Sequence, residues 1–278
     1  MTIEINSIEK YLRLDLSELR FDTTVDAIVE QQKSRGRSGF PTTRLDGVFV
    51  GLSRWLWLSV HAGNARGEAW PQVKDRTLEW IEVFKGSVGE DFVSDFFMMI
   101  SAVLSGDPKI IAAASDASRG ADPAKTTNQF FSAFAGVLKH RIRKDKAAER
   151  IQLEVLRRKK PKPLFRGCRA KVVQAFVDSD WTVVRREVRK TIQDERKKLR
   201  EEDRVKDTAS GKVTVDFGLR HYYRYPKSKG VPYQTGWDRD AMFPWCEAAM
   251  VAVAIREGVE IEGDPLWMPD TLIRQGAE

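Results

Sequence analysis

The sequence predicts an all-α fold: a compact packing of antiparallel helical hairpins, with one short β-hairpin near the C-terminal third. Three observations point there. Apolar residues recur at helical spacing, not in alternation, through most of the long segments. Pairs of such segments are joined by short turn-forming runs, Ser105-Gly106-Asp107-Pro108 and Asp178-Ser179-Asp180, as in an αα-hairpin. From Met242 to Ile255 only Glu247 is charged, so this helix must be covered on nearly every face and belongs at the centre.

A chain of 278 residues can bury a substantial core without covalent staples. We read it as one compact unit, residues 1–278, in two closely associated helical halves, 22–158 and 164–278. The break between them is Lys159-Lys160-Pro161-Lys162-Pro163.

The first twenty residues space Ile5, Ile8, Leu12 and Leu16 unevenly and read as an extended lead with a weak strand or short helix. Asp22-Thr23-Thr24 can cap a helix running to Arg35, and Ser34 to Thr43 is a loop because its glycines and proline interrupt any period. Arg44 to Ala62 is an apolar helix with Trp55 and Trp57, expected deep in the core. Trp70 to Lys85 carries one apolar stripe opposite charges and reads as a surface helix. Phe92 to Leu104 is strongly apolar, and a short helix, Lys109 to Ala117, follows it.

Asp122-Pro123 opens a long helix expected to run unbroken from about Ala124 to Arg158, where Pro161 and Pro163 stop it. Phe165 to Val177 and Trp181 to Arg204 form the next hairpin, the second helix charged almost continuously beyond Arg185. The two turns resemble each other, yet no fixed period links them, which argues against a true repeat array. Lys212 to Leu219 alternates briefly like a strand, and His221 to Trp237 is an irregular aromatic segment. The central helix then begins at Pro244, whose missing N–H costs nothing in a first turn, and stops at Gly258. Glu247 in its first turn sits near the positive end of the helix dipole, a structural place for a carboxylate.

Phe243-Pro244-Trp245-Cys246-Glu247-Ala248-Ala249-Met250, the Ala/Val/Ile helix it opens, and the tail Asp264-Pro265-Leu266-Trp267-Met268-Pro269 with Leu272 carry a resemblance. This stretch resembles the C-terminal signature of bacterial polymorphic-toxin immunity proteins: the immunity-protein family numbered forty-nine and, more distantly, the PoNi group that protects against PoNe-type DNase toxins. The remainder of the chain agrees in being helical. The resemblance implies an all-α cytoplasmic inhibitor that binds a toxin. It also implies that Trp245, Glu247 and Trp267 belong to the core, so no toxin-contacting residue carries over from it.

Composition narrows the partner. Lys and Arg number 47 against 40 Asp and Glu, a formal charge of +7 that favours an acidic partner of some kind. The excess is concentrated from Lys139 to Lys171, where only Asp145, Glu149 and Glu154 oppose fourteen basic residues. A solvated helix interleaves signs, as the one after Arg185 does, so this belt calls for a partner, although solubility alone would also account for it. Within it Arg157, Arg158, Lys159, Lys160 and Lys162 are the contact candidates. Tyr222, Tyr225, Tyr233 and Trp237 are candidate anchors, unless that segment simply packs over the core.

Nucleic acid is the alternative partner. It would call for aromatics interleaved with the cations or a reading module, and the belt offers only Phe165. An acidic face on a protein toxin fits at least as well.

Catalysis finds little support. His61, His140 and His221 lack metal-ligand spacing, no Gly-x-Ser-x-Gly elbow occurs, and no cofactor is expected. Cys168 and Cys246 are too few and dispersed for a disulfide framework, which points to a reducing cytoplasm, and Cys246 is expected to pack as a small hydrophobe. Met1 to Lys10 lacks a basic region followed by an apolar run, and no stretch approaches a membrane span, so no secretory leader or anchor is expected.

Overall fold

The computed structural model describes residues 74–75, 77–78, 81–82, 92–125, 129–158, 170–202, 244–264, 268 and 270–274, with side chains for all but 92–94, 194–202 and 271. The helices expected before residue 70, the β-hairpin near 212–219 and the aromatic segment lie outside these residues. What is described is helical: α1 (Phe92–Ser105), α2 (Pro108–Ala117), α3 (Phe130–Ile142), α4 (Lys146–Arg157), α5 (Ala170–Val177), α6 (Trp181–Glu202), α7 (Trp245–Arg256) and α8 (Asp270–Ile273). Ahead of them, Thr77 and Ile81 are buried while Asp75 and Glu82 are exposed, the one-sided pattern expected of a surface helix.

The centre is shared by two helices. α7 is buried from Trp245 through Ile255, and α1 packs against α2, α3, α7 and α8. Their interface is aromatic at one end, where the Phe97 ring meets Trp245 edge-on at 6.0 Å. Phe96 turns the other way, toward Phe131 and Phe134 of α3 at 5.1 and 5.5 Å. Such contacts contribute beyond the area they bury, by about 0.5–1.5 kcal/mol each. α3 packs most extensively against α4; α4 also packs against α5, and α5 against α6.

One device ends three of the helices. After α7, Gly258 takes φ +83° while its N–H donates to Ile255 O at 2.9 Å and the Val259 N–H to Ala254 O at 3.0 Å. These are the two hydrogen bonds of a Schellman motif, which satisfies carbonyls left free at a helix end. Glycine suits the left-handed position because it has no Cβ to clash. α5 closes identically on Ser179 (φ +58°), with Ser179 N–H on Phe176 O and Asp180 N–H on Ala175 O.

The third case corrects the sequence reading. The helix expected from Ala124 to Arg158 is two helices: α3 begins only at Phe130 and closes on Lys144 (φ +59°), with Lys144 N–H on Arg141 O and Asp145 N–H on His140 O. Asp145 then caps α4, its Oδ1 accepting from the Ala148 N–H at 3.1 Å. Asp180 caps α6 through Val183 and Asp107 caps α2 through Lys109 and Ile110 in the same way. A lysine in a left-handed conformation carries no turn signal in the sequence, so the break was hidden.

The connection from α2 to α3 is held by two glutamine side chains. Gln152 of α4 accepts from the Ala121 N–H at 2.7 Å and donates to the Ala121 carbonyl at 3.0 Å. Gln129 does the same for Asp122, at 2.6 and 3.1 Å. Each amide satisfies a backbone donor and acceptor that would otherwise need water or a strand. Gln152 reaches Ala121 by crossing Gly136 of α3, where a Cβ would lie 2.4 Å from its Oε1.

Cys246 is 2 % exposed and disulfide-bonded, which corrects its reading as a free packed thiol. Dispersal along a chain does not separate two cysteines in space. The cysteine argument for a reducing compartment therefore falls away. Among the described residues no helix is long and apolar enough to cross a membrane.

Candidate functional site

The basic belt is the feature with most excess charge, and folding sorts it into cations turned inward and cations left outside. Lys139, on the last turn of α3, is half-buried, its Nζ donating to the Ser118 carbonyl at 2.7 Å. Burial pulls its pKa down. Nearby Asp95 of α1 is 1 % exposed. Desolvation pushes its carboxyl up to about 6 even though the Gly120 N–H donates to Oδ2 at 3.1 Å and Lys139 lies close.

Arg141 is the most heavily used cation in the described structure. Its Nε and Nη2 each donate to a Glu257 carboxylate oxygen at 2.7 Å, a bidentate pair joining the end of α3 to the end of α7. Nη2 also donates to Ser179 Oγ at 2.9 Å. The guanidinium lies over the rings of Phe176 and Trp181 at 5.2 and 5.4 Å, within the range of a cation–π contact. Nη1 stands 3.7 Å from Glu149 Oε1. Glu149 is 1 % exposed; burial raises its carboxyl to about 7, with Arg141 opposing the rise and Glu257 adding to it. Arg141 thus ties α3, α4, α5, α6 and α7 together and has no donor to spare for a partner.

The other cations point out. Arg143 pairs with Asp116 across two exposed side chains, and Lys171 shares Glu187 with Arg186. Surface pairs of this kind hold little energy, about 0–1 kcal/mol. Lys144, Lys146, Arg150 and Arg158 are exposed and form no ion pair among the described residues, and Arg157 meets Glu154 one turn away at 2.6 Å. α4 is sharply two-sided: Glu149, Gln152, Leu153, Val155 and Leu156 face inward. Ile151, by contrast, is on the outside at 50 % exposure.

Of the sequence-derived contact candidates, Arg157 and Arg158 are therefore on one exposed face. Lys159, Lys160, Lys162, Tyr222, Tyr225, Tyr233 and Trp237 lie outside the described residues, as does Trp267. Trp245 and Glu247 are 3 % and 0 % exposed. Glu247 Oε1 accepts from Thr191 Oγ1 of α6 at 3.2 Å, a cross-link between distant helices that a first-turn carboxylate does not announce.

The sequence reading also missed an open pocket of about 720 Å³ between α6 and the turn before α8. Its cations are already answered locally. Arg185 donates twice to the Glu260 carbonyl, at 2.9 and 2.7 Å. Arg189 faces Glu262 at 3.6 Å, and Arg274 reaches Asp270 and the Ile261 carbonyl, both at 3.1 Å. No group of three or more His, Cys, Asp or Glu is placed to hold a metal ion among the described residues. Comparison with protein-family models, with curated proteins and with solved structures finds no match to this chain.

Proposed function

We propose that this chain is an immunity protein, an antitoxin-like inhibitor that binds and neutralises a cognate secreted bacterial toxin and has no catalytic role of its own. In this reading the all-α frame is a single unit of antiparallel hairpins whose two halves hold a rigid surface against the toxin. The observation that carries it is the division of the belt: Lys139 and Arg141 are consumed by the fold, whereas Lys146, Arg150 and Arg158 stay exposed without an ion pair among the described residues. Exposed cations of one sign speed encounter with an acidic protein face and fix its orientation. The resemblance of the Phe243 to Pro269 stretch to immunity proteins supports the same reading, and the burial of Trp245 and Glu247 agrees with a core role for that signature.

Stoichiometry is the test. The chain is titrated against the toxin encoded beside its gene, and toxicity should vanish near molar equivalence. Protection at a small fraction of equivalence would indicate an enzyme and end the proposal. So would tight binding of the wild-type chain to duplex or single-stranded nucleic acid at physiological salt without any toxin complex.

Action in the cytoplasm is part of the proposal. Cytosolic thiols are kept reduced, so Cys246 should be recovered as an alkylated thiol when producing cells are lysed directly into denaturant containing a thiol reagent. A bonded Cys246 under that trapping places the working protein in an oxidising compartment instead.

A further inference from the structure

We infer that the outer face of α4 is the docking surface, and that its occupant is an acidic protein surface with an apolar notch beside its acidic patch. The inference deepens the inhibitory reading and takes from it only the nature of the partner; the face itself stands on geometry.

On a helix, residues three, four and seven apart share a face. Lys146, Arg150 and Arg157 form one such row along α4, and Ile151 and Arg158 lie beside it, with Glu154 between the two rows. All six are exposed. Four cations thus stand against one carboxylate, with an aliphatic side chain at their edge. A lone exposed isoleucine is ordinary on a protein surface and carries no message by itself. Here it flanks a row of cations whose like charges repel one another until an acidic surface is laid over them.

The same arrangement separates a protein partner from a nucleic acid. An aliphatic group gains nothing against a phosphate backbone, and Glu154 would face it with a like charge. Against a protein, Glu154 holds Arg157 on this face through their 2.6 Å contact, and Ile151 gains the burial that an apolar notch supplies. The face is rigid because Leu153, Val155, Leu156 and the bidentate Gln152 hold α4 from behind. A surface that does not reorder on binding loses less entropy.

The experiment uses the full chain and a defined probe: a short glutamate-rich helical peptide with one central leucine, its leucine-to-serine counterpart, and mixed-sequence duplex DNA, all at physiological ionic strength. The leucine peptide should bind best. Arg150→Glu with Arg158→Glu should weaken it by about tenfold or more, because like charges oppose docking. Ile151→Asp should weaken it several-fold and erase the preference for leucine over serine. Because these side chains are exposed, the melting curves of the variants should overlay that of the wild type.

Peptide affinity indifferent to all these substitutions would overturn the inference. Tighter binding to DNA, lost steeply with salt and with the same charge reversals, would also overturn it. The toxin assay keeps the two claims apart: wild-type protection that survives every α4 variant removes the face and leaves the inhibitor. Failure of the wild-type chain to protect removes the inhibitor, and the peptide result alone then decides the face.

Discussion

α4 and α7 are both twelve residues long and use that length in opposite ways. α7 buries eleven consecutive residues, and its single carboxylate, Glu247, is spent on Thr191. α4 buries five and leaves a charged face in water. Yet one of its five inward residues is a carboxylate without a direct hydrogen bond at Oε1, Glu149, and another is Gln152, hydrogen-bonded twice. The apolar helix contributes through area removed from water, and the polar one through a few specific contacts plus whatever its exterior meets. Twelve helical residues can therefore be committed to the core on every face or on one face only.

The largest expected effect sharpens this contrast. Trp245→Ala should cost about 3–5 kcal/mol, as for other buried large aromatics, whereas Ile151→Ala on the outside of α4 should stay within about 0.5 kcal/mol. Urea unfolding of the two variants measures both. Equal costs would mean that α4 is as deeply committed to the core as α7.

pH probes the buried carboxylates. Glu149 and Asp95 hold their protons more tightly in the folded protein, with pKa values raised to about 7 and about 6 from 4.5 and 3.8. Their protonation therefore stabilises the fold fully below those lower values, and the gain is lost as pH rises through about 6 and then 7. The melting temperature should fall between about pH 4 and pH 7. Glu149→Gln should flatten the slope, a change of up to about 3 kcal/mol at one pKa unit per 1.4 kcal/mol. A profile as steep in the variant as in the wild type would show that Glu149 does not titrate in this range.

Gly136→Ala tests the specific contacts behind α4. Its Cβ must displace Gln152 and with it two hydrogen bonds, each about 1 kcal/mol, against a helix-propensity gain of up to about 1 kcal/mol. A net loss of about 1–2 kcal/mol is expected. With Gln152→Ala already present, the same substitution should be neutral or stabilising, and a cost that persists in the double variant would refute the coupling. The smallest effect is at the break between α3 and α4, where Lys144→Gly should stabilise by about 0.5–1 kcal/mol by relieving the left-handed lysine. A destabilised variant would show that the Lys144 side chain contributes more than its backbone costs.

Much of the architecture could be read in advance where it depends on neighbours three or four residues away. The burial of α7, the stop at Gly258 and the short turn from Ser105 to Pro108 between α1 and α2 are all local signals, and the structure carries them as expected. Lys144 is local as well, but lysine has no preference for its conformation that would mark it, so one expected helix became two. The candidate site was legible only as a region. Lys139, Arg141, Arg150 and Arg158 look equivalent in the belt, and nothing in their immediate sequence says which are consumed.

That sorting belongs to the tertiary structure. Arg141 is withdrawn by Glu257, 116 residues away, and by ring faces on α5 and α6; Lys139 is withdrawn by a carbonyl 21 residues back. The sequence by itself determined helicity and which faces are apolar, because periodicity and caps act over a single turn. Only the assembled helices decided where each charge goes, because a cation's cost or gain depends on the water removed and the partners supplied by segments far along the chain.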